Sequence, residues 1–379
     1  MGTTARLIYD DSERSADLYY LTGFLAGDPF LLLEIGGRRV LVLSDLEVDR
    51  ARRTSRVDEI LRIQEVTDAI KKAEGDAPVR PIARLARIVR WIAADRGIDA
   101  FDVPLSFPVG LADALRGAGL GVGWKEGPFG PQRTRKTPDE VQSSRAAVRH
   151  TEAAMRAAID RIAKAKVRGD GLHEGSEPLT SEAVKRTIRR ELLDRECDPY
   201  DLIVGGGEQA VDPHDCGSGP LPAHLPIILD IFPRHPSSRY HGDVTRTVVR
   251  GRPSAEVKRM FRTVLDAKGR AESLLRAGAD GQEVHAEVQQ VFVEAGFESG
   301  HKDGRMVGFF HGTGHGLGLD IHEHPRVSKV QITLEAGNVV TVEPGLYYPG
   351  VGGVRVEDDV VVTGDGCENL CELEAVLEI

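Results

Sequence analysis

The chain has 379 residues, 41% of them hydrophobic and 28% charged. That length exceeds what one ordinary core holds and implies two domains of a globular protein. Lys plus Arg number 49 against 59 Asp plus Glu, a net charge of −10, which argues against a sequence-independent nucleic-acid binder with a basic surface. The N-terminal MGTTARLIYDDSERSADLYY has no basic segment followed by an apolar run, so no signal peptide is expected. No window approaches roughly 18 consecutive apolar residues, so no membrane span is expected either. Cys197, Cys216, Cys367 and Cys371 do not make a disulfide framework in a chain of this length. Cys367 and Cys371 have no second pair to complete a zinc site and are read as reduced thiols of a cytoplasmic protein.

In chain order, FLLLEIGGRRVLVLSD predicts a hairpin, with two apolar runs about Gly36-Gly37. PIARLARIVRWIAADRG predicts a helix with Pro81 in its first turn, Ile82, Leu85, Val89 and Ile92 at helical spacing, and Gly97 as cap. Strands and helices thus alternate over the first 130 or so residues. EGPFGPQRTRKTPDE then breaks the pattern, and a boundary is placed at residue 133, giving domains 1–133 and 134–379. Thr137, Pro138 and Glu140 form the pattern of a capping box, and VQSSRAAVRHTEAAMRAAIDRIAKAKV continues as a long helix. Helices are expected over roughly 181–196, 254–278 and 281–297, and strands at PIILDIF, GDVTRTVV, GNVVTVE and GGVRVEDDVVV, with residues 169–178 read as a polar loop. The fold class expected is therefore α/β (α+β): a small N-terminal α/β domain and a larger second α/β region.

Four acids stand out because they sit in or beside apolar strands: Asp230, Asp243, Glu343 and Glu357. A carboxylate buried unpaired is expensive, and the nearby Arg246 and Arg355 supply too little positive charge for four. Close by, HGTGHGLGLDIHEHP holds His311, His315, His322 and His324, four of the chain's 12 histidines. Oxygen-rich ligation with one imidazole suits Mn, Co or Zn, and four carboxylates match two divalent ions. Two such ions activate a shared water and polarise a carbonyl, which is hydrolytic chemistry. The loop GGGEQAVDPHDCGSGPL lacks a Walker Gly-Lys-Ser/Thr, and HEHPR is not the zinc helix motif HExxH.

The order Asp, Asp, His, Glu, Glu, with GHGLGLDIHE around the histidine and VEPGLYY after it, resembles the creatinase/prolidase group of pita-bread metallopeptidases (family M24). DLYYLTGF and RKTPDEV resemble that group's N-terminal domain and the start of its catalytic half. The resemblance spans essentially the whole chain and implies two divalent ions per subunit, Mn first and Co or Zn as alternatives. It implies Asp230, Asp243, His315, Glu343 and Glu357 as metal ligands, with Asp243 and Glu357 bridging. It also implies His214 and His322 as substrate-site histidines, His311 as a further pocket histidine, Glu343 as general base, and Tyr347 and Arg355 as residues that fix ligand geometry. His324 is read as structural.

Two departures from the group fall in one hairpin turn. Asp230 and Asp243 lie 13 residues apart, a longer turn than is usual, and Phe232 stands where glycine is usual. Both bear on pocket shape more than on metal binding. The activity implied is hydrolysis of Xaa-Pro bonds by a cytoplasmic homodimer. A Xaa-Pro dipeptidase (prolidase) is expected first and a Xaa-Pro aminopeptidase second. The alternative of another class is a non-catalytic, metal-stabilised binding protein. Partners expected are proline-containing peptides, with no nucleic acid and no membrane.

Overall fold

The computed structural model describes residues 3–76, 80–199 and 201–379. The chain separates into two compact units, residues 1–133 and 134–379. The first holds strands β1 (Thr3–Asp10), β2 (Phe30–Ile35), β3 (Arg38–Leu43), β4 (Glu59–Arg62), β5 (Ile98–Val103) and β6 (Gly121–Trp124), with helices α1 (Ala16–Thr22), α2 (Asp45–Thr54), α3 (Ile63–Glu74), α4 (Pro81–Arg96) and α5 (Val109–Gly117). The strands form one mixed sheet in the order β4-β3-β2-β1-β5-β6. The expected hairpin is β2–β3, joined by Gly36 and Gly37 at φ 56° and 85°, the double positive φ of a tight hairpin turn. Its unbroken apolar run has a physical cause, because the sheet is covered on both faces. Leu31, Leu33, Val40 and Val42 pack with Val89 and Ile92 of α4. Leu32, Leu41 and Leu43 pack with Leu18 and Leu21 of α1 and Val48 of α2.

The second unit opens with α6 (Pro138–Lys164), whose capping box is formed as expected: Thr137 Oγ1 accepts from Glu140 N, and Glu140 accepts from Thr137 N. Next come β7 (Lys166–Arg168), β8 (Gly171–Glu174), β9 (Glu177–Pro178), α7 (Ser181–Leu193), β10 (Ile203–Gly206), β11 (Ile227–Ile231) and β12 (Val244–Val248). They are followed by α8 (Ala255–Leu274), α9 (Gly281–Glu294), β13 (Gly300–Lys302), β14 (Arg305–Val307), β15 (Gly314–Gly316) and β16 (Glu323–Val327). The unit closes with β17 (Val339–Val342), β18 (Gly345–Tyr348), β19 (Gly352–Arg355), β20 (Asp358–Val362) and β21 (Cys367–Asn369). The main sheets are β10-β11-β12 and β16-β15-β17-β20-β21, with β18–β19 as a separate ribbon. Alternation sets the faces. Ile227, Leu229 and Ile231 pack among residues of α6 and α7 such as Met155 and Ile188, so Ile228 and Asp230 point the other way. Val340, Val342, Val360 and Val362 pack among residues of α8 and α9 such as Met260 and Val288.

Two expectations are corrected. Residues 169–178 are not a loop: β7, β8 and β9 form a small antiparallel sheet turned at Gly169 and Gly175. Only Leu172 is buried in β7–β9, so there was no apolar alternation to read. The run GGVRVEDDVVV is two strands, not one. It breaks at Val356 and Glu357, and its halves join different sheets, which frees Glu357 from a regular ladder.

Candidate metal centre

Each acid sits at or beside the end of an apolar strand. Asp230 lies near the end of β11 on the face opposite the core residues, and its Oδ2 accepts from Arg355 Nη2 at 2.6 Å. Asp243 lies one residue before β12, and its backbone N–H is held by Asp359 Oδ2 at 3.0 Å. Glu343 follows β17, with its N–H donating to Thr313 O at 2.8 Å. Glu357 stands in the break between β19 and β20, where Thr245 Oγ1 donates to its Oε2 at 2.6 Å.

His315 is the middle residue of the three-residue β15. The glycines beside it are required by close approach. A Cβ at Gly314 would lie 1.8 Å from Thr341 O, and one at Gly316 would lie 2.5 Å from His324 O. Its Nδ1 lies 3.1 Å from Gly316 O, which places the proton there and leaves Nε2 as a lone-pair donor. Nε2 stands 3.7 Å from both Asp243 Oδ2 and Glu343 Oε1. Ligand atoms of Asp243, His315 and Glu357 lie within 4.8 Å of one another.

The electrostatics ask for cations. Burial, then the neighbouring Glu357 and Asp230, push the Asp243 carboxyl well above its ordinary range. Burial, then Glu343 and Asp230, do the same to Glu357. Burial, opposed by Arg355 but reinforced by Asp230, raises Glu343 to about 7. Burial and the neighbouring His322 lower His315 to about 3, so its ring is neutral. Asp230 Oδ1 and Asp243 Oδ1 are buried and have no hydrogen-bond partner among the described residues. Orphaned carboxylate oxygens beside a neutral imidazole lone pair fit hard divalent ions.

A cavity of about 580 Å³ opens onto all five residues, and His214, His311, His322 and Arg355 also line it. The ring of His322 stands edge-on to His315, with centroids 4.3 Å apart. His311 has both nitrogens engaged, Nδ1 with Gly312 O at 2.8 Å and Nε2 with the Tyr347 hydroxyl at 3.0 Å. Tyr347 is fully buried behind the cavity, and its oxygen accepts from Arg355 Nη1 at 2.9 Å. A chain Asp230–Arg355–Tyr347–His311 therefore braces the first acid from behind. His324 is exposed and does not line the cavity.

Residues 142–364 match the model of metallopeptidase family M24, and residues 5–104 match the creatinase/prolidase N-terminal domain. The chain belongs to metallopeptidase family M24. Membership implies divalent metal ions, and the fold is the pita-bread catalytic domain behind a creatinase-like N-terminal domain. A Xaa-Pro dipeptidase of Pyrococcus horikoshii is 26% identical over 375 residues, covering 96% of this chain and 92% of that protein. The prolidase structure from Pyrococcus horikoshii OT3 superposes with a TM-score of 0.79 at 24% identity, covering 99% of this chain and 95% of that one. The X-Pro aminopeptidase structure from Thermotoga maritima superposes with a TM-score of 0.76 at 23% identity, covering 100% and 98%. These two superpositions establish the fold.

Sequence reasoning missed several residues of the site. Arg326 lines the cavity because it pairs in register with His315 across β15 and β16, which puts both on one face. Thr245 reaches Glu357 through an isolated bridge between the two residues. Phe310, Ile203 and Ile321 give the cavity apolar walls. None of these was marked by residue type alone, and Arg326 needed the β15–β16 register to be placed. No helix among the described residues is long and apolar enough to cross a membrane.

Proposed function

We propose that the chain is a dinuclear metallopeptidase that hydrolyses Xaa-Pro dipeptides. The observation that carries this reading is the convergence of Asp230, Asp243, His315, Glu343 and Glu357 on one cavity in a chain of family M24. Asp230, Asp243, His315, Glu343 and Glu357 would together hold the ions. Two divalent ions held there would supply an activated water near neutral pH and would polarise a carbonyl.

The chain's own groups do the rest. Glu343 takes the proton of the attacking water and delivers it to the leaving prolyl nitrogen. His322 and His214, both lining the cavity, donate to the oxygen of the tetrahedral intermediate. The bond before proline lacks an amide hydrogen, so recognition relies on the ring and on the two termini of the substrate. Arg326 faces the cavity and makes no ion pair among the described residues. An unpaired guanidinium suits the free carboxylate of a dipeptide. This favours a dipeptidase over an aminopeptidase, as does the dipeptidase relative that matches along nearly the whole chain.

The native ion is read as Mn, with Co or Zn as alternatives, the assembly as a homodimer, the compartment as cytoplasm, and residues 1–133 and 134–379 as separate domains. The test is hydrolysis of Ala-Pro and Ala-Pro-Ala side by side by protein loaded with Mn. Cleavage of Ala-Pro alone supports the dipeptidase. Release of Ala from the tripeptide moves the assignment to an aminopeptidase. Loss of neither peptide with metal bound overturns the reading in favour of a binding protein.

A further inference from the structure

The hairpin that carries Asp230 and Asp243 also carries an aromatic ring into the cavity. Along β11, Ile227, Leu229 and Ile231 face the core, while Ile228 and Asp230 face the other way. Phe232 is the next residue on the Asp230 side, since side chains two apart share a face. The antiparallel register pairs Asp230 with Thr245 and Ile231 with Val244. One further step sets Phe232 opposite Asp243, where facing side chains are neighbours. On the other flank, Ile203 of β10 pairs directly with Asp230. Phe232, Ile203 and Phe310 all line the cavity, and Phe232 is only half-buried. A ring in this position is not needed to fill the core.

We propose that Phe232 is a specificity-determining residue: with Ile203 and Phe310 it forms an apolar wall for the side chain of the residue before the scissile bond, selecting large apolar residues there. The inference rests on the Xaa-Pro dipeptidase reading. Charge fixes which substrate residue reaches the wall. The substrate carboxylate goes to Arg326 on β16, so the end that bears the free ammonium points away from it, towards the β11–β12 side on which Phe232 stands. The residue that bears the ammonium is the one before proline. The ring does not act by exclusion, because about 580 Å³ remain with it in place, within the range of small-molecule pockets. What it offers is contact, and one or two methylenes in an apolar pocket are worth roughly tenfold in kcat/KM.

The experiment compares kcat/KM for Leu-Pro and Gly-Pro in Mn-loaded wild type, Phe232→Ala and Phe232→Leu. The Leu-Pro to Gly-Pro ratio is expected to fall roughly tenfold in the alanine variant and to be mostly kept in the leucine variant. Phe232→Gln, larger than alanine and polar, should lower the ratio as well and serves if the alanine variant misfolds. Calorimetric affinities of reduced-bond analogues of the same two dipeptides should shift in parallel, without turnover. A ratio that is unchanged or rises in an active variant overturns the role of Phe232 and leaves the dipeptidase reading standing. A metal-loaded wild type that cleaves neither peptide overturns both.

Discussion

Lys136 and Glu323 form an ion pair at 2.5 Å, with side chains only 1% and 2% exposed. Lys136 also donates its backbone N–H to Gly337 O at 2.7 Å, just before α6. Glu323 directly follows His322 and begins β16. The pair therefore ties the start of the catalytic unit to the segment that presents His322 and Arg326. Two charges taken out of water at this depth stabilise little as a pair, but breaking a buried pair by removing one member costs about 3–5 kcal/mol. For a domain of this size each kcal/mol lowers Tm by about 2–4 °C, so Lys136→Met or Glu323→Leu should lower it by roughly 6–20 °C. The double variant should cost less than the two single variants together, because their direct contact is lost only once. The assay must report on the right unit. Trp91 and Trp124 are the chain's two tryptophans, and both lie in residues 1–133, so tryptophan fluorescence follows the other unit. Urea unfolding of metal-loaded protein by far-UV circular dichroism reports on both units and resolves the catalytic one by difference. A single variant costing less than about 1 kcal/mol, or a double variant costing the sum of the singles, would refute the reasoning.

Asp243→Ala and Glu357→Ala should each remove bound metal and activity together, whereas His322→Ala should lower kcat with metal retained. Elemental analysis beside kinetics separates the two cases, and loss of metal in the histidine variant would make His322 a ligand. A pH effect follows from Asp358. Burial would raise its pKa, but Arg246 at 2.7 Å and Lys268 at 2.5 Å hold it down to about 2, against 3.8 unfolded. The native state thus binds the proton more weakly than the unfolded one. The stabilisation, about 2 kcal/mol, is complete above pH 3.8 and is lost as pH falls towards about 2. The gap in unfolding free energy between metal-free wild type and Asp358→Asn should therefore shrink across that window, and a constant gap would show that the carboxylate charge is not what Arg246 and Lys268 stabilise.

Much of the fold was legible because local chemistry and the tertiary structure agree. The Gly36-Gly37 turn, the helix Pro81–Arg96 with its glycine cap, and the Thr137–Glu140 capping box are set by residues within a few positions of one another. What escaped was set by partners distant in sequence. The sheet β7-β8-β9 buries one leucine and looks polar from end to end. The break at Val356 is invisible in an apolar run, because β19 and β20 are separated by their partners, β18 and β17, and not by a breaker residue.

The same distinction explains which parts of the candidate site could be read. A carboxylate in an apolar strand signals itself, since burial without a partner is costly whatever the fold. Asp230, Asp243, Glu343 and Glu357 needed no register to be noticed. Arg326 carries no such signal, because an arginine near a strand end is ordinary in either environment, and Phe232 was marked only as a departure from the group's usual glycine, not as a cavity wall. Their positions in the cavity follow from pairing: Arg326 from its register with His315, and Phe232 from the step beyond Ile231 and Val244. Groups that would hold cations are thus written in composition against local context, while groups that would choose the substrate are written in register. A chain can keep the residues that would hold its ions in order and still differ in what it cleaves, and the role proposed for Phe232 would place such a difference in the turn between Asp230 and Asp243.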